Sequence, residues 1–447
     1  MKIKKIKFEN FRLFENLEVN FPDSNFIVLI GNNGAGKTSI LDGIALSFMH
    51  FTQEIISVSE KYNLPRDSWF EKDYISIGKD ESQIEINFDF NIPPPHNFFG
   101  PDDPSKKITI SKNRNENGFK FEKFPNGFVN DLKRAVKSKK IKSLPVIAYY
   151  NVNRTVTSEN NTKENLSESL YDEKLFAFVK TLSISAPIFK DFEQWFLKQE
   201  IKENALKVSK GDLKLDLPAL KNVRSALETY LSIIEPGKYG KINVLRESEM
   251  NANFTENTYE YLSVEREGKI LKFTQMSSGE KMVLLLVVDI ARRLTIANEN
   301  SEDALNGEGI VLIDELELHL HPNWQLKIVK ALKATFPKVQ FIATTHSPLV
   351  LSGMRREDIL VLEQGEVIPS EELPNIYSSS SDQILEEIMF ADNKIDKFYN
   401  EKKEIDILFN KMDFETAEHK LKELKEKVGA SPKWLKDYER RISFAKA

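Results

Sequence analysis

The sequence predicts an α/β protein whose buried parallel strands carry functional groups at their carboxyl ends. Three stretches predict it. The first is an apolar run, Phe26-Ile27-Val28-Leu29-Ile30, followed by Gly31-Asn32-Asn33-Gly34-Ala35-Gly36-Lys37-Thr38 and an amphipathic run from Ser39. The second is Gly309-Ile310-Val311-Leu312-Ile313, closed by Asp314-Glu315. The third is Val339-Gln340-Phe341-Ile342-Ala343-Thr344-Thr345, closed by His346-Ser347-Pro348. Short continuous apolar runs suit strands covered on both faces, and sites in such sheets gather beyond the strands' carboxyl ends.

The first stretch has the G-x-x-x-x-G-K-[ST] spacing of a P-loop between a strand and a helix. Glycines let backbone N–H groups turn toward an anion, and the new helix adds the positive end of its dipole. Asn33, Gly34, Gly36, Lys37, Thr38 and Ser39 are therefore the candidate nucleotide-binding residues. Lys37 is placed to reach the β- and γ-phosphates, and Thr38 to offer its hydroxyl to Mg²⁺. ATP and Mg²⁺ are the expected cofactors. At the end of the second run, Asp314 is the candidate Mg²⁺ residue and Glu315 the general base that polarises the attacking water.

With 447 residues the chain has room for two or three domains and a large core. It is 40% hydrophobic and 29% charged, as ordinary globular proteins are. The absence of cysteine excludes disulfides, thiolate catalysis and Cys-ligated zinc, and fits a reducing cytoplasm. Met1-Lys2-Ile3-Lys4-Lys5 lacks the apolar core of a signal peptide, and the apolar run from Met282 to Val288 is too short to cross a bilayer. A cytoplasmic chain with no membrane partner is expected. The net charge of −5 leaves any nucleic-acid contact to a local patch.

Residues 2–21 read as two alternating strands around the turn Asn10-Phe11-Arg12-Leu13-Phe14. Residues 60–125 mix short strands (74–77 and 84–90) with loops such as Ile92-Pro93-Pro94-Pro95. Lys133, Arg134, Lys137, Lys139, Lys140 and Lys142 then form a basic segment, read as a solvated helix face or as a phosphate grip. Leu144 to Tyr150 reads as a buried strand. Residues 155–240 look helical and charged, with Leu170, Leu175, Phe178, Val179 and Leu182 at helical spacing. Ser277 and Glu280 form a capping box at the start of a helix running to about Ala297. His319 and His321 stand among acidic residues just after Glu315. Val361 to Val367 reads as a hairpin, and the remainder is a charged helical tail whose main apolar residues are Ile405, Leu408, Leu421, Leu424, Trp434 and Leu435.

Taken in order, these motifs resemble an ABC-type ATPase head of the OLD, RecF and SMC kind. The resemblance rests on the P-loop, Met276-Ser277-Ser278-Gly279-Glu280 in the signature position, Asp314 to Pro322, and Thr344 to Pro348. It is close over about residues 1–50 and 270–365. It implies a mixed central sheet, an antiparallel sheet, an inserted helical lid and a helical C-terminal tail. It also implies that Arg12 contacts phosphate or base, that Ser277 and Gly279 reach the γ-phosphate on another subunit's P-loop, and that His346 is the switch histidine. The bland alternatives are a surface arginine, a simple helix cap and a core histidine. The signature departs from its pattern at Met276, Ser278 and Glu280. Arg154 stands near the Q-loop position, where no glutamine occurs. His319 and His321 fall in the D-loop, which leaves a metal site there the weaker reading.

The expected organisation is residues 1–130 and 246–375 as two halves of the head, 131–245 as the inserted lid, and 376–447 as a partner or assembly region. Tyr377 to Met389 is similar to a segment of the PtuA-type ATPase subunits of Septu and retron-associated antiphage systems, with Ser378 replacing glycine. That resemblance implies a defence ATPase that senses infection and regulates a separate HNH nuclease, acting as a dimer of heads or a higher homo-oligomer. Nucleic acid, DNA or tRNA, would be reached through the complex. An OLD enzyme would add a Toprim nuclease with a D-x-D pair, and none occurs in the roughly 100 residues after His346. A RecF-like DNA-repair clamp and an ATPase paired with a Toprim nuclease, as in PARIS-like systems, remain open alternatives.

Overall fold

The computed structural model describes residues 1–58, 72–89, 107–116, 120–123, 143–152, 174–179, 188–250, 256–298, 303–363, 365–368, 399–410 and 413–428, with isolated positions elsewhere. Leu170, Arg154, Lys139, Lys140, Lys142, Trp434, Leu435 and the stretches 92–95 and 377–389 lie outside them. The chain forms two units, Met1–Ile384 and Leu385–Ala447.

β1 (Lys2–Phe11) and β2 (Phe14–Asn20) are the hairpin expected from alternation. Ile3, Ile6, Phe8 and Phe11 are fully buried on β1, and a register shift between Ile3 and Lys5 lets its pairing continue. β3 (Phe26–Gly31) then enters a different sheet, and α1 (Lys37–Ile56) follows it. β4 (Glu81–Asp89), β5 (Lys107–Asn113) and β6 (Lys120–Lys123) return to the hairpin as an antiparallel sheet of order β2-β1-β4-β5-β6. The strand expected at 74–77 is only a single bridge, Phe11 opposite Ile75. There the chain folds over the β1–β2 turn instead, with Arg12 N–H donating to Tyr74 O at 2.7 Å and Ser76 N–H to Asn10 O at 3.0 Å. Ile77 is left exposed.

β7 (Val146–Tyr150) joins the central sheet. α2 (Ile188–Lys210) and α3 (Pro218–Ile234, with proline in its first turn) supply the expected helices. A three-stranded antiparallel sheet follows that the sequence did not announce: β8 (Tyr239–Met250), β9 (Glu256–Arg266) and β10 (Lys269–Lys272). β8 runs through the expected boundary at 245/246. Ile242, Leu262 and Val264 are its buried apolar residues among those described, so its alternation is faint. α3 packs on both α4 (Ser278–Ala297) and α5 (Ile328–Thr335), which seats this insertion on the second half of the chain.

β11 (Gly309–Ile313), β12 (Val339–Thr344), β13 (Ile359–Glu363) and β14 (Glu366–Ile368) complete the central sheet, of order β14-β13-β3-β12-β11-β7. All its pairs are parallel except β13 with β14. Every residue of β3, β7, β11 and β12 is buried, which is why these strands read as apolar runs. α1 touches strands of both large sheets, and that two-sided burial explains its apolar residues all round. The fold is therefore an α/β P-loop fold with a mixed central sheet and separate antiparallel sheets.

In the second unit, α6 (Tyr399–Asn410) and α7 (Phe414–Val428) pack through Ile405, Ala417, Leu421 and Leu424, with Ile442 added. Among the described residues no helix is long and apolar enough to cross a membrane.

Candidate nucleotide site

The P-loop bridges β3 and α1 as its spacing demands. Gly36 is the N-cap of α1 with φ 102°, a left-handed conformation, and a Cβ there would lie 2.2 Å from Phe14 Cζ. No side chain caps α1, so its first N–H groups face the loop without a protein acceptor from that source. Asn33 and Gly34 are exposed. Lys37 is buried, and its Nζ donates to Gly31 O at 2.9 Å and Asn32 O at 3.1 Å. Burial lowers its pKa, while the carboxylates of Asp314, Glu315 and Glu317 work to hold the charge.

β12 lies between β3 and β11, so the ends of all three strands meet. Thr38 Oγ1 donates to Asp314 Oδ2 at 3.0 Å and reaches Oδ1 at 3.2 Å. Thr344 Oγ1 donates to Asp314 Oδ1 at 2.5 Å and accepts the Glu315 N–H at 2.8 Å. Asp314 N–H donates to Tyr150 O at 2.8 Å. One network thus joins the P-loop, the acidic pair and the neighbouring strand end. Glu315 has φ 48°, an uncommon conformation for a residue with a side chain and one that recurs at functional sites. The hydroxyl of Thr38 and the carboxylate of Asp314 are hard oxygen donors at the right place to share a Mg²⁺ ion. Among the described residues no group of three or more His, Cys, Asp or Glu could hold a metal. The donor set fits an ion that keeps waters and takes phosphate oxygens, as Mg²⁺ does.

Arg12 has φ 51° at the hairpin turn, and its guanidinium sits 4.5 Å from the Tyr74 ring centre. Nη1 donates to Ser39 Oγ at 3.2 Å and Nη2 pairs with Asp42 Oδ2 at 2.7 Å. Asp42 also accepts the Tyr149 hydroxyl at 2.8 Å. Burial raises the Asp42 pKa, and Arg12 and Tyr149 oppose that rise. Arg12 is therefore braced beside the first turn of α1, next to Ser39, rather than loose on the surface. Sequence reasoning did not find Asp42 or Tyr149, because their partners are distant in the chain.

His346 is exposed, which excludes the core-histidine alternative. Its N–H donates to Glu317 Oε1 at 2.6 Å. Glu317 lay inside a recognised stretch without a role; its signal was an acidic side chain amid the apolar loop that follows Glu315.

Ser277 and Gly279 are not hydrogen-bonded to the chain's own P-loop residues. Ser277 is the N-cap of α4: its Oγ accepts the Glu280 N–H at 3.3 Å while its own N–H donates to Glu280 Oε2 at 3.1 Å, the expected capping box, and the Ser277 hydroxyl also donates to Glu280 Oε2 at 2.8 Å. Glu280 Oε1 in turn accepts Tyr239 Oη at 2.9 Å and Arg266 Nη1 at 3.0 Å. Gly279 is buried against the chain after β11, where a Cβ would lie 2.0 Å from His319 O. His321 Nδ1 accepts the Asn323 N–H at 3.3 Å and so caps the one-turn helix Pro322–Gln325.

A phosphate-binding loop, a paired Asp–Glu strand end and a sensor-like strand between them define a P-loop ATPase. Residues 26–352 match the family "AAA domain, putative AbiEii toxin, Type IV TA system", and the chain belongs to that family. A "Retron Ec83 probable ATPase" of Escherichia coli is 30% identical over 407 residues, covering 82% of this chain and 72% of the relative. A "Septu protein PtuA" of Bacillus thuringiensis is 23% identical over 407 residues, 89% of this chain and 87% of the relative. The similarity to the "DNA replication and repair protein RecF" of Leptospira interrogans is confined to 94 residues at 38% identity, 20% of this chain and 24% of that protein.

Proposed function

We propose that this ATPase works in an antiphage defence system, senses infection, and restrains or releases a separate HNH nuclease according to its nucleotide state. The observation that carries the proposal is the extent of similarity. It runs over most of the chain for the retron and Septu proteins and over a fifth of it for the repair protein. That contrast favours a defence role over a DNA-repair clamp. The partner reaches nucleic acid for the complex, and the chain acts as a dimer of heads or a higher homo-oligomer. Residues 376–447 include the contact for the partner or for assembly.

In the chemistry we assign, the first turn of α1 and Lys37 bind the phosphates, and Arg12 steadies the nucleotide's edge from beside Ser39. Mg²⁺, where bound by Thr38 and Asp314, offsets charge on the phosphates. Glu315 takes the proton of the attacking water, Thr344 holds both carboxylate-bearing residues in register, and His346 senses the γ-phosphate. Ser277 and Gly279 close over the nucleotide of a second copy.

The test is to purify the tagged chain from its native operon, wild type and Glu315→Gln, and to determine the mass of what accompanies it. A stoichiometric nuclease, with ATP retained and turnover about 10²-fold or more slower in the variant, is expected. A lone homo-oligomer that binds DNA only with ATP would overturn the defence reading. Normal turnover by Glu315→Gln would remove Glu315 as the base.

A further inference from the structure

Glu317 stands two residues beyond Glu315 and spends its carboxylate on the end of β12. Oε2 accepts the Thr345 hydroxyl at 2.6 Å and Oε1 accepts the His346 N–H at 2.6 Å. Both are short, charge-assisted hydrogen bonds. Thr345 is fully buried, and its Oγ1 also accepts the Ser347 N–H at 3.0 Å. Ser347 continues the brace: its hydroxyl donates to Gln325 Oε1 and accepts the Leu349 N–H at 3.2 Å. The backbone on both sides of His346 is thus fixed while the imidazole stays exposed. β12 runs parallel to β3, so the clamp at its carboxyl end lies at the same end of the sheet as the P-loop.

We propose that Glu317 is a positioning residue for ATP hydrolysis: its two-point clamp on Thr345 and His346 sets the switch histidine relative to Glu315. The inference rests on the assignment of His346 to the reacting phosphate. Two hydrogen-bond acceptors are required at that place, and a second base or metal ligand is not. A carboxylate that accepts one donor on each oxygen is held in a single orientation by the two groups it joins.

The experiment measures steady-state ATP turnover and the affinity for a fluorescent ATP analogue in the full chain. It compares Glu317→Gln, Glu317→Asp, His346→Ala and the double variant Glu317→Asp/His346→Ala. Gln keeps one oxygen for the His346 N–H and an amide that Thr345 can meet, so its kcat stays within about threefold of wild type. Asp keeps the charge but withdraws the acceptors by one methylene, and its kcat falls about 10- to 100-fold with nucleotide affinity unchanged. The double variant is no slower than His346→Ala alone, because the clamp acts only through that residue. The opposite pattern, with Asp active and Gln inactive, would overturn the clamp in favour of a charge role. Multiplying losses in the double variant would overturn it too. His346→Ala inactive with Glu317→Asp at the wild-type rate would overturn the clamp alone. His346→Ala at the wild-type rate would overturn the role of His346 and the clamp with it.

Discussion

Tyr149 and Tyr150, successive residues of β7, send their hydroxyls to opposite faces of the central sheet. Tyr149 donates to Asp42 on α1 at 2.8 Å, and Tyr150 donates to Asp289 on α4 at 2.8 Å. Alternation along a strand makes this inevitable once both are in place. The backbone carbonyl of Tyr150 meanwhile receives the Asp314 N–H. One edge strand therefore ties together the P-loop helix, the helix that Ser277 caps, and the acidic strand end. Burial pushes both phenols far above their ordinary range, so each remains a donor at all working pH values.

Replacing either tyrosine by Phe leaves a carboxylate short of one donor, and each variant is expected to lose about 1–3 kcal/mol of stability. The two hydroxyls lie on opposite faces, so the losses should add to within about 0.5 kcal/mol in a double-mutant cycle. Urea unfolding of the four proteins measures this. Strong coupling would show that the faces communicate.

Asp289→Ala should be far more damaging. Asp289 is fully buried and holds Arg292 and Arg293, themselves buried, through Nε of both and Nη2 of Arg292. Removing it strands two cations, at a cost of about 3–5 kcal/mol. A loss of unfolding free energy in urea of only a small fraction of that would contradict the arrangement described.

Thr38→Ala removes a hydroxyl 3.0 Å from Asp314 and leaves the rest of the loop intact. ATP affinity measured in EDTA should be unchanged, while the gain on adding Mg²⁺ should shrink about tenfold, roughly 1.4 kcal/mol. An equal loss with and without the cation would place Thr38 outside the metal's reach.

Burial pushes Glu280 up, but hydrogen bonds from Ser277 and Tyr239 and the charge of Arg266 outweigh it and hold the carboxyl below its ordinary 4.5. A depressed carboxyl contributes stability above its unfolded pKa and loses it as pH falls through the folded one. Wild type should therefore lose more stability than Glu280→Gln between about pH 6 and pH 3.5. Parallel pH profiles would refute the cap's ionic character.

Gly36→Ala forces an L side chain into φ 102° and against the Phe14 ring. It should lower stability by about 1–3 kcal/mol and weaken nucleotide binding together, as differential scanning and titration can show.

Much of the central sheet was legible because β3 and β11 are buried on both faces and leave unbroken apolar runs, and β12 is broken only by Gln340 and its terminal Thr344. The P-loop and the Ser277 cap were legible because they are local, with partners at most a few residues away. Asp42, Tyr149 and Glu317 were not assigned roles, since their significance depends on groups 28 to 107 positions distant. The three-stranded sheet at 239–272 escaped because few of its described side chains are buried. The alternation at 74–77 misled for the converse reason: Ile77, which should anchor a strand, faces outward.

The near-contact of Gly279 with the carbonyl of His319 limits which substitutions between Met276 and Glu280 can be interpreted genetically. Any side chain at 279 would push on the same chain's loop after β11, and through it on its own Glu315 and Glu317. A Gly279 allele would then disturb hydrolysis in the copy that carries it, and under the proposed closure over a second copy's nucleotide that defect and one in the partner copy would not be separated by mixing with wild-type subunits. Ser277→Ala loosens the cap of its own α4 but leaves the loop after β11 unpressed, so it is the better allele for a mixed-subunit test of the proposed contact between copies.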